Sequence, residues 1–137
     1  MLNTPKSWIT LIIQTDSLDA EKISKTLKLN PDYFQDPEFK EDGSVEESGI
    51  WQINSLLEPE ESLENHLWNI LKRLVQSRTE LKNLIQPPVK AVFYCTTEFM
   101  NQDISNIRLS SRLLLLIGGL GIDLEINYIE NDEIDQE

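Results

Sequence analysis

Apolar residues recur along the chain with two spacings, about two residues in some segments and about 3.6 in others, and these spacings predict its elements. Alternating or β-branched apolar runs predict four strands, at 8–14, 49–55, 89–97 and 122–128. Stripes with helical spacing predict a first helix closed by Asn30-Pro31, a long helix over 59–85 and a third helix that begins at Ser110. The predicted order is therefore β-α-β-α-β-α-β.

Local signals indicate where the helices start, bend and end. Pro59 suits the first position of the long helix, because its missing N–H group has no helical partner there. We expect this helix to bend near 77–79, since Arg78 would otherwise fall within its apolar stripe. Gly118 or Gly119 can adopt the left-handed conformation that ends the third helix.

The last strand indicates an α+β domain, with a more parallel α/β sheet as the alternative. Apolar and polar residues alternate from Ile122 to Tyr128, which is typical of a strand with one solvent-facing side. We predict a ferredoxin-like sandwich of two β-α-β halves, 8–55 and 89–129, with the long helix at 59–85 inserted between them.

The length of the chain and its apolar runs predict one domain and a location. All 137 residues, 1–137, are expected to form a single domain with a core at about 7–129 and an acidic tail at 130–137. The longest apolar run, 113–117, is far shorter than the roughly 20 residues that span a bilayer. Residues 1–8 lack the features of a signal peptide, and one cysteine permits no internal disulfide. We expect a cytoplasmic protein that does not enter membranes.

Acidic residues outnumber basic residues by 24 to 12, which gives a net charge of −12. They are concentrated in 36–64, with ten acids and one base, and in 123–137, with seven acids and no base. The segment 65–122 carries a net charge of +4. Solubility alone accounts for such a surface, and the alternative is that it attracts a basic partner. Nucleic acid is excluded as a partner, because its phosphates would be repelled.

The inventory of reactive side chains excludes most catalytic and metal-binding sites. The chain has one histidine, His66, and one cysteine, Cys95, which are too few for a cluster of metal-ligating imidazoles and thiolates. His66 falls beside the apolar stripe of the long helix, and Cys95 falls at an inward position of a strand. We therefore predict structural roles for both, and no catalytic residue, cofactor or metal.

Three local patterns that could indicate a site have simpler explanations. The glycines of 118–121 follow a helix and precede a strand, which is the reverse of a phosphate-binding loop. The alternating oxygens of 36–42 resemble calcium ligands, but Lys40 occupies a ligand position and the required glycine is absent. The glutamates of 60–64 are explained by the positive end of a helix, without acid–base catalysis.

Two predicted central strands share a face that carries Trp8, Ile12, Val92 and Tyr94. If the alternate positions of these strands lie beneath helices, these four side chains form an apolar sheet face that needs a cover. We expect the helix at 59–85 to supply this cover. The alternative cover is a second copy of the chain or another protein.

Several short motifs in a fixed order resemble DUF4279, a bacterial domain-of-unknown-function family. The matching segments are Ser7-Trp8, Leu27-x-Leu29-x-Pro31-Asp32, Gly49-Ile-Trp51 with Ser55, Leu109-Ser110, and Gly121-Ile-Asp-Leu-Glu-Ile-Asn-Tyr128. Together they span about 7–129. The resemblance implies a cytoplasmic α+β domain and carries no established activity, cofactor or catalytic residue.

The leading hypothesis is a non-enzymatic module that binds another protein through negative charge and apolar contacts. By analogy of type, it is an immunity protein that neutralises a basic toxin or nuclease. The residues predicted to contact the partner are Trp8, Ile12, Val92, Tyr94, Glu46, Glu47, Glu58, Glu60, Glu61 and Trp68.

Two alternatives stay open at the level of sequence. One is a small-ligand sensor or enzyme, with a cleft between sheet and helices built from Tyr94, His66 and Arg78. The other is a structural homodimer that covers the apolar sheet face with a second copy of the same chain.

Overall fold

The computed structural model describes residues 5–100 and 107–131. Within these ranges the chain forms seven strands and four helices: β1 (Lys6–Thr15), α1 (Ala20–Leu27), β2 (Tyr33–Gln35), β3 (Glu38–Phe39), β4 (Val45–Glu47), β5 (Gly49–Asn54), α2 (Leu63–Leu74), α3 (Arg78–Leu84), β6 (Lys90–Met100), α4 (Ser111–Leu120) and β7 (Asp123–Asn131). A 3-10 turn, Val75–Ser77, joins α2 to α3. Of the predicted tail at 130–137, the first two residues belong to β7 and the rest lie outside the described residues.

Five strands form one mixed sheet in the order β2-β5-β1-β6-β7. The central strand β1 is antiparallel to both of its neighbours, β5 and β6. At one edge β2 is antiparallel to β5, and at the other β7 is parallel to β6. The two short strands β3 and β4 form a separate antiparallel hairpin.

The predicted α+β class is confirmed, whereas a ferredoxin-like arrangement of two β-α-β halves is not confirmed. The strands of the predicted first half, β1 and β5, are antiparallel neighbours. The segment at 59–85 is not an insertion between halves, because it connects β5 to β6 across β1. Hydrophobic alternation assigns the two faces of each strand, but it does not specify which strand is its neighbour or in which direction that neighbour runs.

The long helical segment starts later than predicted and bends where predicted. Ser62 is the N-cap of α2, since its side-chain oxygen accepts a hydrogen bond of 3.1 Å from the Asn65 N–H group. Pro59 therefore precedes the helix and does not open it. The predicted bend is confirmed, because the 3-10 turn interrupts the segment just before Arg78.

The glycines near the end of α4 have other roles than predicted. Gly121 has a φ of +84° and is the left-handed C-cap of this helix. Gly118 and Gly119 lie inside the helix, so the prediction that one of them ends it is wrong. Three glycines lie near the end of α4, before the start of β7. The spacing of apolar residues in the sequence did not show that Gly121, and not Gly118 or Gly119, ends the helix.

All four helices pack on one face of the sheet and form a single core with it. The strands contribute their alternate residues, for example Ile9, Leu11 and Ile13 of β1, and each helix contributes its apolar stripe. The largest of the fully buried side chains is Trp51, whose indole N–H group donates to the Ser24 hydroxyl over 2.9 Å. Within the described residues, no helix has the length and apolar character that crossing a membrane requires.

None of the helices in the described ranges lies on the opposite face of the sheet, so the predicted cover by the 59–85 helix is wrong. The buried stripe of α2, which includes Leu67 and Ile70, packs against the core face of β1 instead. One core shared by all the helices buries more apolar area than two thin ones would. The outward positions of the sheet therefore remain open.

The two faces of β1 provide a direct test of this arrangement. We expect Ile13→Ala to lower the free energy of unfolding by about 3 kcal/mol, because Ile13 is fully buried and its loss leaves a cavity. The neighbouring Ile12 is half-buried on the open face, so Ile12→Ala should cost about 1 kcal/mol. Urea denaturation of both variants measures the difference. Equal losses would contradict an open face in solution.

Candidate functional site

The open face of the sheet carries the four apolar residues that the sequence places together. Register pairs Trp8 with Thr96 and Ile12 with Val92, while Tyr94 lies across from Thr10 between them. The side chains of Trp8 and Tyr94 are 46% and 37% exposed. We call Trp8, Ile12, Val92 and Tyr94 the apolar patch.

A fixed polar border flanks the apolar patch on its β5 side. The Asn54 side-chain oxygen accepts hydrogen bonds from the Thr10 hydroxyl at 2.9 Å and from the Gln52 amide at 3.1 Å. The backbone of Asn54 is held as well, since its N–H group donates to Asp32 at 2.8 Å and its carbonyl accepts from Arg73 at 2.6 Å. These four hydrogen bonds fix the position of Asn54 at the border.

Arg73 belongs to this border and is partly removed from water. Burial lowers the pKa of its guanidinium, and the negative charge of Asp32 opposes that effect. The Arg73 side chain also donates to the Asn69 backbone carbonyl and side-chain oxygen, so it joins the end of β5 to α2. Its role is structural.

An acidic border flanks the patch on its β7 side. Parallel pairing places Asp123 next to Val92 and Glu125 next to Tyr94, with all four on the open face. Both carboxylates are exposed. The predicted site omitted these two residues. The alternation within 122–128 was a sufficient signal for their outward direction, but only the strand order shows which residues they adjoin.

The five acidic residues of the predicted site lie at the two ends of the sheet. Glu46 and Glu47 are in β4, just before β5 begins opposite Thr15. The other three follow the end of β5, where the Pro59 carbonyl accepts a hydrogen bond of 2.7 Å from Ser7; they are Glu58, Glu60 and Glu61. All five are exposed, and none is at a position on the open face.

Trp68 also lies away from the apolar patch. It belongs to α2, is half-buried against the core, and its indole N–H group donates to Glu64 over 3.2 Å. Glu64 in turn accepts a hydrogen bond of 2.7 Å from the Ser110 N–H group, and this bond lowers the pKa of the carboxyl. Trp68 is thus part of the helical side of the molecule.

His66 is a buried residue with a single side-chain partner. Its Nδ1 lies 2.6 Å from the Ser55 hydroxyl, and its Nε2 forms no hydrogen bond with any of the described residues. Burial lowers the pKa of His66, while the nearby carbonyls of Pro59 and Glu58 and the charge of Glu61 oppose this shift. Burial therefore disfavours the protonated form of this imidazole.

The residues of the alternative ligand-binding cleft are not brought together. Tyr94 is on the open face, His66 is buried on α2, where it borders a cavity beside Trp8, and Arg78 is exposed on α3. Cys95 is buried, which raises the pKa of its thiol to about 12. Among the described residues there is no group of histidine, cysteine and acidic side chains that could hold a metal ion.

A cavity of about 310 Å³ opens beside Trp8, at the end of the patch next to the polar border. Its walls include the hydroxyl groups of Ser7, Thr10 and Ser55 and the amide of Asn54.

The comparisons with known proteins identify a family. The family model described as a domain of unknown function (DUF4279) matches residues 5–131, which include every strand and helix of the fold. The resemblance predicted from the motifs is therefore confirmed. No curated protein and no solved structure matches the chain.

The environment of His66 predicts a pH dependence of stability. Because the pKa of His66 is lowered in the folded protein, the unfolded chain binds the proton more readily. The stability that neutral His66 contributes is fully present above its ordinary pKa near 6.5 and is lost as the pH falls below that value. We expect the free energy of unfolding in urea to decrease from about pH 7.5 to about pH 5.5.

His66→Gln is the matched control, since it keeps a polar group near Ser55 and removes the titration. This variant should lose less stability over the same pH range than the parent protein. The chain has one histidine, and its carboxylates are common to both proteins, so the difference reports His66 alone. Parallel pH profiles would show that His66 does not cause the effect.

Proposed function

The chain belongs to the DUF4279 family, and we propose that it is a non-enzymatic protein-binding module whose contact surface is the open face of its sheet. The observation that carries this proposal is the apolar patch at the centre of that face. Tryptophan and tyrosine contribute more than most residues to binding energy, and here Trp8 and Tyr94 are both exposed, with no helix of residues 5–100 or 107–131 over them. Such a face is stabilised when a second surface excludes water from it.

The borders of the patch support a partner with basic side chains. Asp123 and Glu125 are exposed directly beside Val92 and Tyr94, so a lysine or arginine of the partner would meet a carboxylate at the edge of the contact. The polar cavity beside Trp8 suits the same kind of long side chain. The net charge of −12 would accelerate association with a basic protein.

The proposal extends to a biological role of one type. We propose that the protein is an immunity protein, that is, a small acidic protein that binds a basic toxin or nuclease through one face and neutralises it. We propose that this interaction occurs in the bacterial cytoplasm. The single cysteine, buried and unreactive, agrees with a reducing compartment. The five glutamates at the ends of the sheet would steer the approach of the partner and would not form its central contacts.

We also propose a finer description of the fold. The strands β2, β5, β1 and β6 are neighbours in that order, and each neighbouring pair is antiparallel. This order supports a ferredoxin-like unit in which β5 lies between β1 and β2, with α4 and β7 added after it. An experimental structure that reveals the handedness of the helical connections would test it, and left-handed connections would contradict it.

Substitution of Trp8 tests the proposed contact surface. A partner captured from the native cell would be purified and titrated by calorimetry against the parent protein and Trp8→Glu. We expect Trp8→Glu to weaken binding by about 30-fold or more, because it removes an aromatic anchor and places a charge in the apolar patch. Phe39→Glu, at an exposed aromatic residue of the β3–β4 hairpin, is the control and should bind as the parent does.

The acidic border provides a second measurement with the same partner. Reversal of Asp123 and Glu125 to lysine should weaken binding, and the loss should be smaller at high salt, where exposed charges are screened. Binding that is indifferent to both Trp8→Glu and this reversal would refute the proposal. A parent protein that is dimeric by light scattering, and monomeric after Trp8→Glu, would instead support the structural homodimer.

A further inference from the structure

The helical side of the molecule has a groove with the opposite charge to the rest of the chain. The groove has a volume of about 720 Å³ and is open to solvent between α3 and α4. Its lining combines apolar and cationic side chains, chiefly Trp68, Leu115, Leu116, Arg78, Lys82 and Arg112. We call this the helical groove.

The cations of the helical groove are not paired with acidic residues of the described chain. Three of its lining residues, Arg78, Lys82 and Arg112, are basic, and none of the described residues that line it is acidic. None of the three forms an ion pair within the described part of the chain. The net charge of −12 would lead one to expect negative potential over most of the surface. The positive potential of the groove therefore comes from the local grouping of these three basic residues.

The apolar part of the groove is partly exposed to solvent. Leu115 is 77% exposed, although it belongs to a helix whose other leucines include buried core residues. Leu116 and Trp68 are half-buried and form the floor. Gly119 leaves space in this wall, because a Cβ atom placed there would meet no other atom within 4 Å.

The spacing of these side chains is that of a surface that receives a helix. Arg78 and Lys82 are one turn apart on α3, a separation of roughly 6 Å along its axis. Arg112, Leu115 and Gly119 follow one another at helical spacing along the facing side of α4. An amphipathic helix places apolar residues in such a groove and flanking residues against its walls.

We propose that the helical groove binds an amphipathic helix of a partner protein, with leucine-like residues on its buried side and carboxylates along its flanks. The leucines would pack on Leu116 and Trp68, and the carboxylates would pair with Arg78, Lys82 and Arg112. The groove is on the opposite side of the molecule from the apolar patch. The chain can therefore hold this helix whether or not the sheet face is occupied.

The first experiment fills the groove. The probe is a fluorescein-labelled synthetic helix of about four turns, with leucines at heptad positions a and d and glutamates at e and g, measured by fluorescence anisotropy. Gly119→Leu should weaken its binding by about tenfold or more by occupying the space on the groove wall. Gly118→Leu is the matched control, since it lies one residue away in the same helix, is equally free of contacts and does not line the groove.

The second experiment tests charge. Arg78→Glu combined with Arg112→Glu should weaken binding of the same probe by about tenfold or more at low salt, while Lys72→Glu, on the exposed side of α2, should leave it nearly unchanged. A probe with lysines in place of the glutamates should bind the parent protein at least about tenfold more weakly. These variants keep Gly119, so they remain informative if Gly119→Leu does not fold.

Three results would overturn the proposal. The first is binding of the probe that is equal in the Gly118 and Gly119 variants. The second is self-association of the parent protein, measured by sedimentation, that Gly119→Leu abolishes, which would make a second copy the occupant. The third is binding to vesicles of anionic phospholipid that depends on Gly119 while the acidic helix fails to bind, which would make a lipid surface the occupant. The Trp8 variant should bind the probe normally, so failure here is distinct from failure at the sheet face.

Discussion

The burial of one face of β1 beneath α2 is the interaction on which the rest of the structure depends. Ile9, Leu11 and Ile13 pack against the stripe of α2, and α1, α3 and α4 extend the same core. Because all four helices of the described chain pack on that side, none of them covers the outward residues of the central strands. The exposed apolar patch is therefore a consequence of how the core is assembled.

The open face of the sheet carries negative charge beside its apolar patch, and the helical groove on the other side carries positive charge. The sheet side presents Asp123 and Glu125 beside aromatic residues, and the helical side presents Arg78, Lys82 and Arg112 beside leucines. A protein that binds through one side can keep the other available, since the core separates them. The net charge of −12 does not reveal this difference between the two sides. The difference is found only when each charged residue is assigned to a strand or helix and to one side of the molecule.

The sequence predicted the faces of the strands well and their neighbours poorly. Alternation correctly placed Trp8, Ile12, Val92 and Tyr94 on one side of the sheet, because side-chain direction in a strand depends only on local geometry. It did not predict that the 59–85 segment would join the other layer, or that β7 would bring two acids to the patch. Those outcomes depend on contacts between residues far apart in the chain. The helix ends differed because Ser62 and Gly121 satisfy helical backbone groups better than Pro59 and Gly119 do.

The position of β7 at the edge of the sheet has a consequence for how the protein behaves when concentrated. An edge strand leaves half of its backbone N–H and C=O groups unpaired within the sheet, and such strands recruit identical strands from other molecules. In a parallel, in-register pairing of two such strands, Asp123 and Glu125 would each lie next to its own copy, and their mutual repulsion opposes that pairing. The same negative charges that border the patch thus also disfavour this pairing of edge strands.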